Sequence, residues 1–212
     1  MKLCALQLAT QLVDTLPVGR PGLFNPWRQS CPHDLPINTI ENKIARLAAH
    51  LDCDAKLILV GEAPGYQGCR YSGVAFTSER LLLEGKIPRM PELQGRLTDR
   101  GKPFSEPSAT IVWGKLSELG IAGDVILWNS VQLHPHHPGQ PHTNRTPSDE
   151  EVLLGLPALN LLRLHYPTAT FVAVGNKADD ILRAAGISAT KVRHPANGGA
   201  NKFRDGLEAI IH

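Results

Sequence analysis

The sequence predicts an α/β protein whose four-stranded parallel sheet is covered by helices on both faces. Four short apolar runs are separated by stretches with helical spacing, and no tight hairpin signal joins any two of them. Strands that alternate with helices in this way pair in parallel, because each crossover returns the chain to the same edge of the sheet. The predicted strands are 57–61, 125–128, 170–174 and 190–193. A length of 212 residues suits a single domain over 1–212.

The amino-terminal half is predicted to contain three helices and the first strand. The helices are 2–15, a segment from Asn38 to about Leu51, and a short segment ending near Gly85. Asn38 can cap the second helix and either Thr77 or Ser78 the third, because their side-chain oxygens accept from free backbone N–H groups. An amino-terminal arm, which together with the first helix spans 1–36, contains Asn25-Pro26-Trp27, to which the sequence assigns no role. The stretch 86–106 is predicted as a loop, since it is rich in Pro, Gly and charge.

The carboxyl-terminal half is predicted to contain four helices. The first covers 107–119 and stops at Gly120, a typical position for a helix-ending glycine. Ser148 and Glu151 form a capping box for the second helix, because each side chain accepts from the other residue's backbone N–H. The helices after Ser148 end near His165, near Ala185 and at 211. A loop rich in Pro and His spans 132–147.

Composition limits the classes of protein that the chain can represent. The net charge is only +2, which neither demands nor excludes nucleic acid, since a local basic strip suffices to bind a phosphate backbone. No apolar run approaches the ~18 residues of a membrane span, so we expect no membrane association. The cysteines lack any C-x-x-C pair and are typical of reduced thiols, so we expect a cytoplasmic protein. These cysteines are Cys4, Cys31, Cys53 and Cys69.

Chemically useful side chains follow the ends of the four predicted strands. Glu62 follows the first strand, Asn129 the second, and His194 the fourth. In a parallel sheet these positions share one edge, so the side chains are expected to converge. An amide can both donate to and accept from a base edge, and an imidazole can stabilise an anion as a base leaves. With Phe76 as a stacking platform, this set favours a pocket for a nucleobase.

At this point the sequence resembles a known family. The segments Gly61-Glu62-Ala63-Pro64-Gly65 and Gly73-Val74-Ala75-Phe76, then Asn129 and His194-Pro195, are similar in order and spacing to the motifs of the uracil-DNA glycosylase superfamily. The likeness extends over about residues 55–205 and is greatest to the bacterial and archaeal branch with the GEAPG motif. It implies a three-layer α/β/α fold and a monofunctional enzyme. Such an enzyme hydrolyses the N-glycosidic bond of uracil in DNA, without a metal, to start base excision repair.

The resemblance also implies roles for individual residues. Phe76 corresponds to the aromatic that stacks on the flipped base, and Asn129 to the amide that binds N3–H and O4 of uracil. His194 corresponds to the histidine that binds O2 as the base departs. The turn that contacts the substrate is completed by Gly61, Ala63, Pro64 and Gly65.

Residues that contact the DNA backbone are also implied by the resemblance. Phe203 or Arg204 lies where the family has the wedge that fills the vacated stack. Arg145 stands just before a predicted helix N-terminus, where it is expected to meet a phosphate. The remaining loop residues expected to contact DNA are Asn197, Gly198, Gly199 and Lys202. We expect a monomer, because access to DNA suits one.

Four departures from the family pattern affect the predicted chemistry. No cysteine follows Cys69, so we expect neither the iron–sulfur cluster common in this branch nor any other cofactor. Ala63 replaces the family's water-activating Asp; Glu62 either positions the water instead or satisfies backbone donors of the turn. Gly65 replaces a Tyr that excludes thymine, so other deaminated bases become candidate substrates unless Tyr66 or Tyr71 closes the gap. Ala196 replaces a phosphate-binding Ser, for which Asn197 and glycine amides can substitute.

Three alternatives remain open from the sequence. The chain can be a non-catalytic protein that binds damaged or single-stranded DNA, because Ala63 removes a catalytic carboxylate. It can also be a flavodoxin-like nucleotide-binding domain, although it lacks the Gly-Lys-Ser/Thr of a phosphate loop. The third concerns four histidines in the loop 132–147, which either bind a metal or belong to a loop that faces the DNA or the solvent. They are His134, His136, His137 and His142.

Overall fold

The structure is a computed structural model that describes residues 3–211. Its helices are α1 (Ala5–Asp14), α2 (Ile40–Leu51), α3 (Cys69–Ser72), α4 (Glu79–Leu83), α5 (Pro107–Glu118), α6 (Asp149–His165), α7 (Asn176–Ala184) and α8 (Ala200–Ile211), with a 3₁₀ turn at Ala122–Asp124. Its strands are β1 (Leu23–Phe24), β2 (Leu57–Gly61), β3 (Val125–Asn129), β4 (His134–Pro135), β5 (Thr170–Val174) and β6 (Ala189–Val192). None of the helices within this range is long and apolar enough to cross a membrane.

Four strands form the predicted parallel sheet, in the order β3–β2–β5–β6. Every residue of β2 and β3 is buried, as expected for continuous apolar strands covered on both faces. The register places Gly61 opposite Asn129. The carboxyl-terminal ends of β2 and β3 therefore lie side by side.

Two apolar clusters cover the two faces of the sheet. Because successive strand side chains point to opposite faces, Ile58 joins the first cluster and Leu59 the second. The first cluster contains residues of α1, α2, α6 and α7, whereas the second contains residues of α5 and α8. The predicted three-layer α/β/α fold is confirmed. The assignment of residues 1–212 to one domain stays a prediction.

A small antiparallel ladder was not predicted from the sequence. β1 lies within the Pro-rich arm and β4 within the His-rich loop, and the two pair through Leu23–Pro135 and Phe24–His134. Two-residue strands are too short to show any hydrophobic period, so neither segment had a strand signal. The single turn α3 was missed for the same reason. Residue 2 of the predicted first helix lies outside the described residues.

Helix caps agree with the sequence at some sites and differ at others. Ser148 and Glu151 form the predicted capping box, and Gly120 ends its helix region with φ +70°. The prediction that Asn38 caps α2 is wrong, because the Thr39 hydroxyl accepts from the Asn42 backbone N–H at 3.2 Å. Asn38 is buried and instead donates to an Asp34 carboxylate oxygen at 2.7 Å.

Candidate active site

The carboxyl-terminal ends of the parallel strands surround a cavity of about 700 Å³. Its wall contains residues that follow β2, β3, β5 and β6, so the predicted convergence at this edge is found. The predicted site residues in the wall are Glu62, Ala63, Pro64, Gly65, Phe76, Asn129, Arg145, His194 and Asn197. A second cleft, lined by residues 54–56 and 164–168, lies at the opposite edge of the sheet, before β2 and β5 begin.

Phe76 and Asn129 both approach the backbone of Gly61 closely. A Cβ atom at Gly61 would lie 2.6 Å from Phe76 Cζ and 2.9 Å from Asn129 Oδ1. Only glycine therefore allows the aromatic ring and the amide to approach this closely. Phe76 itself has φ +49°, a conformation that a non-glycine residue adopts only where its surroundings impose it.

Hydrogen bonds from three elements hold the segment that leads to Phe76. Arg46 of α2 donates from Nε to the Ser72 carbonyl at 2.7 Å, and the Trp27 indole N–H donates to the Gly73 carbonyl at 3.1 Å. On the far side, Trp113 Nε1 donates to Thr77 Oγ1 at 3.1 Å. The arm residue Trp27, which had no predicted role, therefore restrains the backbone just before Phe76.

The backbone around Asn129 is held by neighbouring turns, while its carboxamide is available. The Ser130 backbone N–H donates to the Gly61 carbonyl at 2.8 Å, and Gln132 Nε2 donates to the Asn129 carbonyl at 2.6 Å. Within residues 3–211 no hydrogen bond engages the Asn129 side chain, which is 5% exposed. Its donor and acceptor remain free for a ligand in the cavity.

His194 presents a hydrogen-bond donor to the cavity. Its Nδ1 accepts from the Ala196 backbone N–H at 3.1 Å, so the proton of the neutral ring is on Nε2. Burial, together with the nearby Arg193 cation, lowers the pKa of His194. Gly175, with φ +95°, permits this placement because a Cβ there would lie 3.1 Å from the His194 Cβ.

Glu62 is a half-buried carboxylate in the cavity wall. Burial raises its pKa, while the Lys177 ammonium and the Thr146 hydroxyl act in the opposite direction. Its Oε1 is buried and accepts no hydrogen bond from any described residue. The hypothesis that Glu62 satisfies backbone donors of its own turn is therefore unsupported, and the water-positioning role stays a prediction.

Glu106 is a second carboxyl in the cavity wall, and no sequence pattern predicted it. Its Oε2 is buried and has no hydrogen-bond partner within residues 3–211. Burial raises the pKa of Glu106 to about 7. The residue stands at the end of the predicted loop 86–106, and local sequence does not show that this loop returns to the strand ends.

Arg145 has a structural role in place of the predicted phosphate contact. Its NH1 and NH2 atoms each donate to Glu151 at 2.7 Å. The other donors bind the carbonyls of His136, Thr146 and Gly22 at 3.1, 3.1 and 2.8 Å. All five N–H groups of the guanidinium are therefore engaged within the protein. The prediction that Arg145 binds a phosphate is not supported.

The predicted wedge segment is divided by the start of α8. Phe203 is completely buried in the core against the sheet, so the prediction that it enters a base stack is wrong. Arg204 is partly exposed, with NH1 donating to Asn201 at 3.2 Å, and its role stays a prediction. Lys202 and Gly198 are exposed, whereas Gly199 is buried against the His194 carbonyl. Of the six residues expected to contact DNA here, only Asn197 lines the cavity.

Neither tyrosine near Gly65 closes the cavity. Tyr71 is fully buried and stacks on Phe104 with ring centroids 4.4 Å apart. Tyr66 packs edge-on against both rings, at 5.6 and 5.3 Å. The cavity wall contains neither side chain. Of the two alternatives left open at Gly65, closure of the gap by a tyrosine is unsupported, because both rings belong to a separate aromatic cluster.

The metal-site hypothesis for the histidine loop is also unsupported. His134 Nδ1 accepts from Arg70 NH1 at 2.8 Å, while Nε2 lies 3.0 Å from the Thr143 carbonyl. Burial and the Arg70 cation lower the pKa of His134 to about 3, so the ring is neutral. Among residues 3–211 no three His, Cys, Asp or Glu side chains are grouped so that they could hold a metal. The cysteines therefore do not fit an iron–sulfur cluster.

Comparisons with known proteins agree with this fold. The chain belongs to the uracil DNA glycosylase superfamily, because the profile of that family matches residues 48–211. It is also similar to the SMUG2 of Pedobacter heparinus in a wild-type crystal structure, with a TM-score of 0.64 over 98% of both chains. At 13% identity, that likeness concerns the fold alone. The comparison with curated proteins finds no significant match.

Proposed function

We propose that the protein is a monofunctional DNA glycosylase that hydrolyses the N-glycosidic bond of uracil in DNA and so starts base excision repair. The main support is that Phe76, Asn129 and His194 line one cavity at the carboxyl-terminal edge of the sheet. The bond to be cleaved is inaccessible within a base stack, so the uracil rotates out of the DNA into this cavity.

Base recognition is assigned to Phe76 and Asn129. The flipped base stacks on the Phe76 ring, a contact that tolerates any base. The Asn129 carboxamide accepts from N3–H of uracil and donates to O4. Cytosine presents an acceptor at N3 and a donor at its 4-amino group, so it opposes this arrangement. Discrimination between uracil and cytosine therefore rests on Asn129.

His194 is assigned to the departing base. As the glycosidic bond breaks, negative charge develops on the uracil oxygens, and Nε2–H of His194 donates to O2. A preformed donor of this kind stabilises the transition state more than the ground state. The lowered pKa of His194 keeps the ring neutral at pH 7, so it acts as a hydrogen-bond donor rather than as a proton source.

Glu62 is assigned to the attacking water. Its buried Oε1 lacks a partner among the described residues and can accept from a water molecule beside the sugar. As a carboxylate it also favours the positive charge that develops on the sugar ring. The neighbouring Lys177 supports this charged form by opposing the increase in pKa that burial causes.

Binding of the DNA backbone is assigned to the exposed basic side chains around the cavity. Arg193 is exposed and lines the cavity, and Lys202 is exposed nearby in sequence at the start of α8. These side chains offer cations to phosphates, while Asn197 and the exposed Gly198 amide offer hydrogen bonds. Arg204 fills the vacated position in the base stack. We further propose that the protein acts as a cytoplasmic monomer.

Excision from a labelled oligonucleotide with one uracil, followed by alkaline cleavage at abasic sites, tests the function. We expect the His194→Ala and Asn129→Ala variants each to lose about 100-fold or more in single-turnover rate. His137→Ala and Asn160→Ala are matched controls at exposed positions outside the cavity and should retain activity. Oligonucleotides with cytosine, thymine or hypoxanthine define the base range.

The same experiment separates the enzyme from a binding protein. A protein that binds uracil-containing DNA but cleaves no base in the series would contradict the glycosylase proposal. This result would instead support the alternative of a non-catalytic DNA-binding protein, which the absence of a carboxylate at Ala63 suggested.

A further inference from the structure

Helix α6 has apolar side chains on its outer face as well as on the face that packs against the core. Leu159 and Leu162 are completely buried, whereas Leu153 is 63% exposed and Leu164 is 72% exposed. A helix at the surface of a protein ordinarily has one apolar face and one polar face. The two outer leucines contribute little to the core, so their apolar surface is available to another molecule.

The outer residues of α6 form a continuous row. Leu153, Pro157, Asn160 and Leu164 are all exposed, and their spacing of four, three and four residues places them on one side of the helix. This is the spacing with which one helix packs against another. Exposed apolar residues that are scattered singly are ordinary on a protein surface, but a row of them indicates an interaction site. We call these four residues the α6 seam.

The carboxyl-terminal end of the α6 seam opens onto the second cleft, at the edge of the sheet opposite the candidate active site. This cleft has a volume of about 840 Å³, and its wall contains Leu164 together with Ala55 and Pro167. A large apolar side chain from another molecule can enter the cleft beside Leu164. The seam therefore ends in a recess that can hold an anchoring side chain.

The centre of the α6 seam offers polar groups. Pro157 has no backbone N–H, so the Leu153 carbonyl cannot form its usual hydrogen bond within the helix. Asn160 presents an exposed carboxamide about one turn beyond Pro157. A partner with a hydrogen-bonding side chain between two apolar ones complements this arrangement.

Charges at the two ends of α6 define the orientation of a partner helix. Asp149 and Glu150 lie in the first turn and Arg163 in the last, and all three are exposed. Helices commonly have this order of charges, because acids are stabilised at the positive end of the helix dipole and bases at the negative end. A partner helix that runs antiparallel to α6 therefore places its basic last turn beside Asp149 and Glu150, and its acidic first turn beside Arg163.

We propose that the α6 seam is a docking surface for one amphipathic helix of another protein, which runs antiparallel to α6 and inserts an apolar side chain into the cleft beside Leu164. The seam has only two exposed leucines, too few to supply the ~800 Å² that each partner contributes to a stable interface. It therefore fits a single, transiently bound helix and not a stable dimer of this chain. None of its residues lines the cavity, so the interaction goes beyond the proposed glycosylase function and does not depend on it.

The probe is a synthetic alanine-rich peptide with the length of α6, 17 residues. It has leucines at the spacing of the seam, a glutamine at the centre, glutamates in its first turn and lysines in its last. A second peptide has the glutamates and lysines exchanged. Fluorescence anisotropy measures the binding of each labelled peptide to the wild-type protein, Leu153→Gln and Leu164→Gln. Val18→Gln is the matched control, because Val18 is also apolar and 64% exposed but lies in the amino-terminal arm.

We expect the first peptide to bind the wild-type protein about tenfold more tightly than the second at low salt, and this ratio to approach one at high salt. Leu153→Gln and Leu164→Gln should each weaken binding of the first peptide by about tenfold, whereas Val18→Gln should not change it. All three substitutions are at exposed positions. Thermal unfolding like that of the wild type should confirm that each variant is folded.

Distinct results would overturn the proposal. If neither peptide binds saturably up to about 1 mM, or if the two leucine variants bind like the wild type, the seam does not dock a helix. Equal affinities for the two peptides at low salt would contradict the antiparallel orientation. If the wild-type protein alone sediments as a dimer that Leu164→Gln dissociates, the seam is covered by a second copy of this chain instead of by another protein.

Discussion

Two glutamates that flank one long loop, Glu79 before it and Glu106 at its end, both have buried carboxyl oxygens but differ in their hydrogen bonds. Glu79 of α4 is completely buried, and its carboxylate accepts hydrogen bonds from four side-chain or backbone groups of the loop at 2.7–3.1 Å. A fifth comes from the Phe104 backbone N–H at 3.0 Å. Hydrogen bonds with Arg96 and Thr98 lower the pKa of Glu79, although burial alone would raise it.

Glu106 lies only two residues beyond Phe104, yet its Oε2 has no partner among the described residues and its pKa is raised to about 7. Burial is common to both carboxyls, so the difference in pKa follows from their hydrogen bonds. The complete set around Glu79 fixes the loop 86–106 against α4. The incomplete set around Glu106 leaves a polar group for a ligand in the cavity.

The largest effect is expected for Glu79→Gln, which removes the acceptor at the centre of the loop. The amide nitrogen would face backbone N–H groups, and Arg96 would lose its charged partner. We expect the free energy of unfolding to fall by about 3 kcal/mol, measured by urea denaturation at pH 7. Glu84→Gln is the control, because Glu84 forms a partly exposed ion pair with Arg80 and should change stability by less than about 0.5 kcal/mol. Similar losses in the two variants would contradict the role of Glu79.

The pH dependence of stability should separate the two glutamates. Glu106 has a higher pKa in the folded state than its ordinary 4.5, so the folded state binds its proton more tightly. Its contribution to stability is complete below pH 4.5 and is lost as the pH rises through about 7. For Glu79, whose pKa is lowered, the contribution is instead lost as the pH falls below its ordinary 4.5.

We therefore expect the wild-type protein to lose stability relative to Glu106→Gln between pH 4.5 and 8, by on the order of 2 kcal/mol. The free energy of unfolding is measured across this range for both proteins. Other titrating groups contribute equally to the two profiles and cancel in the difference. Parallel profiles would show that the Glu106 carboxyl titrates alike in the folded and unfolded states.

The sheet could be predicted from the sequence because its strands are continuous apolar runs with helical segments between them. The ladder of β1 and β4 could not, since its pairing depends on the meeting of two distant loops. Asn38 shows a different limit. Its residue type suits a helix cap, but a buried contact with Asp34 determines its position, and the adjacent Thr39 caps the helix.

The candidate site was predicted where residues follow strand ends in sequence, as Asn129 and His194 do. Glu106 and Trp27 were missed because only tertiary structure brings the loop and the arm to the cavity. The error at Phe203 had a signal in the sequence. Leu207 follows it by four residues, the spacing of one helix face, so Phe203 belongs to the buried face of α8.

The smallest effect is expected for Trp27→Phe. Like Glu79, the Trp27 indole has a hydrogen-bond partner, the Gly73 carbonyl, and this contact lies next to the cavity. The change keeps an aromatic ring near Trp128 but removes the indole donor to the Gly73 carbonyl. One buried hydrogen bond is lost, so we expect the free energy of unfolding to fall by about 1 kcal/mol. We also expect uracil excision to slow by about fivefold, because a 1 kcal/mol loss in holding Phe76 at φ +49° corresponds to that factor.

Tyr166→Phe is the matched control for this last change. It also removes one buried donor, the hydroxyl that binds the Leu51 carbonyl, but at the opposite edge of the sheet from the cavity. The two variants should lose similar stability, measured by thermal unfolding, while only Trp27→Phe slows excision. Equal excision rates in the two variants would mean that the Trp27 contact fixes the arm to the domain without affecting Phe76. The strained conformation of Phe76 would then depend on Arg46 and Trp113, whose hydrogen bonds hold Ser72 and Thr77.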